Sequence, residues 1–388
     1  VISKKLIIEL LKQLISFKSV TPNDNGAIDF ITNLLVKQGF KVYVKEFGQE
    51  YKVKNLYGYF GNGQPNICFA GHIDVVPAGF IEQWKYPPFC ATQYKDKIYG
   101  RGVVDMKGAI SAMLSAVFCF IDNNNDFNGT ISFLITADEE GEALFGTKKM
   151  LEWINKQGHK IDFTILGEPT CTNKIGDTIK IGRRGSINFD LKVFGKQGHV
   201  AYPHLAINPN HLIVKILNRL IAYKIDEGNE FFAPSNLEVV SIDTNNNITN
   251  IIPEIAKSKF NIRFNDIHTN EWLLEIVKKT VEQFTTNYDL QSSCRSRPFL
   301  AKMSPYIFSF KELVHKVTKI KPEFSTSGGT SDAYFFKDYS PIVEFGLLNT
   351  MAHKINEYCL INDLQTLCRV YYNALCLFLM SNSNFRTN

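Results

Sequence analysis

No CxxC pair occurs among the eight cysteines of this 388-residue chain, which argues against thiolate zinc sites and thioredoxin-like redox motifs. Cys68, Cys90, Cys119, Cys171, Cys294, Cys359, Cys368 and Cys376 are scattered, several of them in apolar stretches. They read as free thiols of a reducing compartment rather than a disulfide framework. No uninterrupted apolar run approaches the roughly 20 residues that cross a bilayer, so no membrane partner is expected. The opening VISKKLIIELLKQLISF lacks the layout of a signal peptide and alternates like an amphipathic helix; a cytoplasmic location is the expectation. No basic block gathers the formal charge of +5, and no RNA-binding signature or zinc-finger spacing appears, so nucleic acid is not an expected partner. Such a mild positive balance suits a small anionic substrate. GxSxG and P-loop patterns are absent, internal repeats are absent, and the GxG of GYFGNGQP is not followed by the helix a dinucleotide site requires.

What is present is core material. The hydrophobic fraction is 45%, and the length favours two domains. PNICFAGH, TISFLITADEE, DFTILGEPT and SPIVEFGLL are short apolar runs of the kind found inside mostly parallel sheets. Helical stretches such as KGAISAMLSAVFCFIDN and DLQTLCRVYYNALCLFLM alternate with them, which predicts an α/β architecture: a mixed, mostly parallel sheet flanked by helices. Near residue 177 the pattern turns to the polar–apolar alternation of antiparallel strands, with two amphipathic helices. The expected organisation is a domain of residues 1–176 and 297–388, interrupted by an inserted α+β domain of residues 177–296.

Each buried run ends in groups that can bind metal. His72 and Asp74 follow the first, Asp138, Glu139 and Glu140 the second, and Glu168 the third, while His353 lies beyond the fourth; Asp105 sits in the glycine-rich turn GRGVVDMKG. Functional groups of open α/β sheets gather outside the carboxyl ends of strands. Individually these residues have plainer readings: His72 as a satisfied core histidine, Asp74 as a turn cap, DEEGE as a solvated loop. Together, two histidines with several carboxylates and no cysteine suit zinc, cobalt or manganese. Asp105, Glu140 and Glu168 would balance most of the charge of two divalent ions, a bound hydroxide supplying the rest; such pairs, about 3.5–4 Å apart, polarise carbonyls and acidify water. Neighbours in a strand face opposite ways, so one of Glu139 and Glu140 can bind metal while the other takes a proton.

GHIDVVPAG, GRGVVDMKG, TADEEGEALFGT, ILGEPT, GRRGSINFDLKVFGKQGHVAYPHLAINP, STSGGTSDAYF and HKINE run in order through essentially the whole chain. Together they resemble the dinuclear zinc-dependent peptidases, a family of metallo-aminoacylases and carboxypeptidases. The resemblance implies two zinc ions, with cobalt able to substitute: His72 and Glu168 on one, Glu140 and His353 on the other, and Asp105 bridging. It further implies a cis peptide after Asp105, Asp74 as the residue orienting His72, and Glu139 as general base. The inserted domain would form a homodimer, and His199 would reach the partner's active site to stabilise an oxyanion; on the residues alone, His199 reads as a surface histidine in a turn. GRRGS, STSGGTSD and HKINE are most similar to members that cleave the linear amide of an N-succinylated diamino-diacid, a step toward lysine and peptidoglycan precursors. Because the metal ligands are shared across the family, an acetylornithine-type deacylase or a metallo-dipeptidase is the alternative. Implied substrate contacts are Arg183, Tyr202, Asn250, Arg263, Gly329 and Thr330, the guanidinium forks matching substrate carboxylates. On the residues alone the two arginines also read as exposed strand positions. SRPFL departs from the family pattern at Arg297, where a glycine is expected.

Overall fold

Seven consecutive residues, Asn66–His72, are all buried along a strand. Side chains alternate between the two faces of a strand, so the sheet containing it is covered on both. Gly129–Thr136 and Phe163–Leu166 are buried in the same way. The structure, a computed structural model, describes residues 3–124 and 126–380. Its largest sheet runs in the order Lys41–Phe47, Val53–Asn62, Gly129–Thr136, Asn66–His72, Phe163–Leu166, Ile342–Glu344, Thr178–Lys180 and Glu323–Ser325. From Gly129–Thr136 to Ile342–Glu344 the neighbours pair in parallel, as do the last two strands. The first three strands are joined by antiparallel pairing, and Glu344 meets Lys180 antiparallel. This is the mixed, mostly parallel α/β sheet expected.

Helix Lys107–Asn123 is buried around most of its circumference, packed among Lys4–Ser16, Ile361–Leu379 and the Asn66–His72 strand. Gly108 permits that approach, since a Cβ there would fall against the Val103 carbonyl oxygen and Leu347. Tyr371 ties Ile361–Leu379 to the sheet, its buried hydroxyl donating to the Phe345 carbonyl at 2.6 Å. All eight cysteines are free thiols. Among the described residues, no helix is long and apolar enough to cross a membrane.

Residues 1–181, 301–325 and 331–388 form one compact unit, and residues 182–300 with 326–330 form another. Thr178–Lys180 pairs with Glu323–Ser325 in the large sheet, so the first unit runs five residues further than the change in sequence texture suggested. The second unit has a four-stranded antiparallel sheet in the order Asn236–Asp243, Ile255–Phe264, Gly185–Phe194 and Tyr288–Ser296. One face of this sheet is buried, with Phe189 stacked on Phe260 at 4.9 Å, and the apolar stripes of helices Pro209–Ile221 and Asn270–Glu282 complete that core.

The sequence reading did not include a small sheet of Thr92–Tyr94, Lys97–Tyr99 and Tyr358–Leu360. Strands of three residues carry too little alternation to be seen in a sequence. This sheet sets Lys97–Tyr99 beside Tyr358–Leu360, and therefore sets the turn holding Asp105 close to the segment holding His353.

Gly346 makes a local prediction. A Cβ there would fall against the main-chain carbonyl oxygens of Gly167 and Glu168, neither of which can yield without moving the strand. Gly346→Ala is expected to destabilise the protein by about 1–3 kcal/mol, in the range of overpacked cores. A urea midpoint equal to wild type would show that this contact constrains nothing.

Candidate metal centre

Parallel pairing brings the carboxyl ends of four strands to one rim. His72 is opposite Thr136 in register, so Glu139 and Glu140 emerge beside it. Ala70 is opposite Leu166, two residues before Glu168, and Glu344 is opposite Leu166 from the other side. Beyond Glu344 the chain reaches His353, whose backbone is left-handed at φ 63°. Asp105 arrives from the turn before Lys107–Asn123, and the Asp105–Met106 peptide is cis.

The side chains form two clusters that meet at Asp105. His72 Nε2 lies 3.2 Å from Asp105 Oδ1, 3.6 Å from Glu168 Oε1 and 3.9 Å from Glu139 Oε2. His353 Nε2 lies 2.9 Å from Glu140 Oε1 and 3.2 Å from Asp105 Oδ2. Ligand atoms of His72, Asp105 and Glu140 fall within 4.8 Å of one another, as do those of His72, Glu139 and Glu168. Nδ1 of His72 faces the main-chain carbonyl of Asp74 at 2.9 Å. Donating there, it leaves Nε2 as the atom turned toward the carboxylates.

Asp74 reaches further than its expected role. Its carboxylate is 3.6 Å from His72 Nδ1, yet it accepts hydrogen bonds from the main-chain N–H groups of Glu139 at 3.3 Å and Glu140 at 3.1 Å. The carbonyl orients the imidazole, and the carboxylate holds the turn that carries two of the acids.

The electrostatics are those of crowded negative charge. Burial alone would lower the His72 imidazole, but the Asp105 and Asp74 carboxylates, with Glu139 and Glu168, hold it well above its ordinary value. Hydrogen bonds to Asp105 and Glu140 raise His353 to about 10. Burial, and then the charge of Glu168, push Glu139 well above the usual carboxylate range. Burial also raises Asp332 to about 7, against a 2.6 Å hydrogen bond from the Thr147 hydroxyl. Burial opposes ionisation of Asp105, and the two imidazoles outweigh it and hold that carboxyl low. Divalent cations would replace the protons that the two histidines bind and offset the carboxylates. The donor set, nitrogen and oxygen without sulfur, fits such ions.

The other expected residues lie in the second unit. Arg183 is buried there, and its Nη1 donates to the Gly329 carbonyl at 3.1 Å, beside Thr330. Arg263 is opposite Ser186 and Asn236 in the antiparallel sheet. His199 pairs with Ile251 across a two-residue ladder, Tyr202 donates its N–H to the His199 carbonyl at 2.8 Å, and the Asn250 carbonyl accepts from Val200 at 3.1 Å. Arg297, where a glycine was expected, is paired with Glu271 at 3.0 Å on the surface.

Sequence reasoning passed over Lys107, Asp332, Arg101 and Glu357. Lys107 is fully buried, its ammonium donates to the Phe17 carbonyl at 2.8 Å, and burial lowers it to about 7. All four lie within or beside quoted motifs, but nothing in an isolated charged letter says that it is buried.

A mixed α/β sheet with this donor set at its strand ends is the framework of a metallohydrolase. The chain belongs to peptidase family M20/M25/M40, which it matches over residues 68–376. It is 98% identical over 387 residues to a succinyl-diaminopimelate desuccinylase of Orientia tsutsugamushi strain Boryong, covering 100% of both chains. It is 55% identical to the enzyme of that name from Rickettsia bellii strain RML369-C, covering 94% of this chain and 95% of the relative. Among solved structures, an M20 metallo-carboxypeptidase of Sulfolobus solfataricus superposes with a TM-score of 0.76 at 20% identity, over 95% of this chain and 98% of its own. A Bacillus subtilis protein described as a dinuclear metal-binding M20 peptidase superposes with a TM-score of 0.68 at 13% identity, over 96% and 98%.

If the Asp74 carboxylate holds the turn, Asp74→Ala will speed amide hydrogen exchange at Glu139 and Glu140 by about tenfold or more, as expected for the loss of a charge-assisted bond. Unchanged exchange at both amides in a folded variant would remove that role.

Proposed function

We propose that the chain hydrolyses N-succinyl-L,L-2,6-diaminopimelate to succinate and L,L-2,6-diaminopimelate, as the names of its 98% and 55% identical relatives indicate. The observation that carries the chemistry is the pair of histidine–carboxylate clusters meeting at Asp105. In this reading His72 and Glu168 would hold one zinc ion and Glu140 and His353 the other, with Asp105 available to both, and cobalt could substitute. Bound there, such ions supply Lewis acidity toward an amide carbonyl and lower the pKa of water.

The remaining steps belong to side chains. Glu139 takes a proton from the attacking water; its carboxylate lies beside the cluster, 3.9 Å from His72 Nε2, placed to serve as general base. As the C–N bond breaks, Glu139 returns that proton to the departing amine. Asp74 keeps Glu139 and Glu140 on one turn and holds the His72 tautomer. Arg183, Arg263, Tyr202, Asn250, Gly329 and Thr330 contact the substrate, whose three carboxylates suit the two guanidinium groups. His199 accepts a hydrogen bond from Ala201 N–H on Nδ1 at 3.1 Å. Its Nε2 is therefore the protonated nitrogen, a donor for an oxyanion in the site of a second subunit.

That role requires a homodimer built through the inserted domain. In support, Asn236–Asp243 is an edge strand with Val240 and Ile242 71% and 56% exposed, and helix Pro209–Ile221 leaves Val214 and Ile221 58% and 62% exposed. Bare apolar edges of this kind invite pairing with another chain. The enzyme works in the cytoplasm, in the synthesis of lysine and peptidoglycan precursors. Sedimentation is expected to show a dimer that Val240→Lys dissociates; a wild-type monomer at assay concentration would remove the His199 role.

The direct assay is hydrolysis of the succinylated substrate, beside N-acetylornithine and dipeptides, by chelator-stripped protein with and without added zinc. Zinc-restored turnover is expected, with Glu139→Gln lowering kcat about 10²–10⁴-fold, the usual scale for general acid–base catalysis, and leaving zinc binding intact. Cleavage of acetylated or peptide substrates instead would keep the chemistry and overturn the substrate.

A further inference from the structure

Two buried charged residues have no part in the chemistry above. Glu357, the last residue of HKINE, and Arg101, in GRGVVD, are both buried and bind one another, Arg101 Nη1 donating to Glu357 Oε2 at 2.8 Å. Both oxygens of Glu357 then receive the backbone of the turn that carries Asp105. Oε2 accepts from Gly102 N–H at 2.9 Å, and Oε1 from Val104 at 2.8 Å and Asp105 at 3.3 Å. Gly100 N–H donates to the Glu357 carbonyl at 3.0 Å. A carboxylate filled by donors from four neighbouring residues leaves that turn one conformation.

Arg101 works outward from the same point. Nη1 donates to the Lys354 carbonyl at 3.2 Å, while Nη2 donates to Pro77 at 3.3 Å and His353 at 3.4 Å. The guanidinium lies over the Trp84 ring, 5.2 Å from its centre. One planar fork thus touches the segment following His72, the turn of Asp105 and the segment of His353. His353 has the left-handed backbone of φ 63°, a conformation that a residue with a side chain keeps only when its surroundings over-determine it. Arg101 grips the carbonyls of His353 and its neighbour.

We infer that Glu357 and Arg101 are positioning residues that set the Asp105 carboxylate against the His353 imidazole, and so govern the metal position formed by His353, Glu140 and Asp105. The His72–Glu168 position shares Asp105 but depends on them less, because the parallel strands already place its other two residues. The inference rests on the two-metal reading and adds which residues make its second position. A buried pair kept only for stability would not separate the two positions.

The test is calorimetric titration of chelator-stripped protein with Zn²⁺ in the presence of a competing chelator. His353→Ala identifies which of two binding events belongs to the His353 position. Glu357→Gln is expected to weaken that event by about 10–100-fold, the scale of supporting contacts around metal ligands, while the other event stays within about threefold. Arg101→Lys keeps a charge beside Glu357 but cannot bridge three carbonyls, and it should weaken the same event by a smaller factor. Should Glu357→Gln lose the wild-type circular dichroism, Arg101→Lys decides alone. Both events unchanged, or both weakened equally, would overturn this inference and leave the two-metal reading standing. Fewer than two events in the wild type would overturn that reading, and this inference with it.

Discussion

Asp105 is the point on which the site turns. Its two oxygens each lie 3.2 Å from a different imidazole, His72 on one side and His353 on the other. Those imidazoles come from segments 281 residues apart, so the fold has to deliver three separate pieces of chain to within hydrogen-bonding distance. Parallel strands deliver His72, Glu139, Glu140 and Glu168 as a row. A turn locked by Glu357 delivers Asp105. A segment held by Arg101 delivers His353. Bringing so many acids together raises the proton affinity of the groups among them: hydrogen bonds to carboxylates raise His353 and His72, and burial followed by the Glu168 charge raises Glu139. Crowding of this sort is tolerable where cations compensate for it.

Much of this could be read from the sequence because buried parallel strands have a plain signature. PNICFAGH, FLITADEE and TILGEP are continuous apolar runs that stop abruptly at acids or a histidine, and the structure sets those stops on one rim. Other features were illegible for physical reasons. Glu357 and Arg101 are charged letters among loop residues, and charged residues are usually exposed; only tertiary packing shows that these two are buried and bonded to each other. Thr178–Lys180 alternates like the strands after it, yet it belongs to the large sheet because its partner, Glu323–Ser325, comes from a distant part of the chain. Asp74 was read as the partner of an imidazole, and the longer reach of its carboxylate to the Glu139 and Glu140 amides depends on a register that no local pattern encodes.

Division of labour between the two units follows from their sheets. The first has strands buried on both faces and presents its chemistry at their ends. The second has a one-sided antiparallel sheet, carries the arginines proposed to grip substrate, and leaves an apolar edge exposed. Metal chemistry shared across a family and specificity set elsewhere are a common arrangement, since function resides in sites grafted on folds.

Anomalous diffraction at the zinc edge, from crystals grown after zinc is restored to stripped protein, tests the central claim most directly. The account predicts two peaks about 3.5–4 Å apart on either side of Asp105, one beside His72 and Glu168 and the other beside His353 and Glu140. A single peak at full zinc loading, or peaks that leave Asp105 uncoordinated, would contradict it.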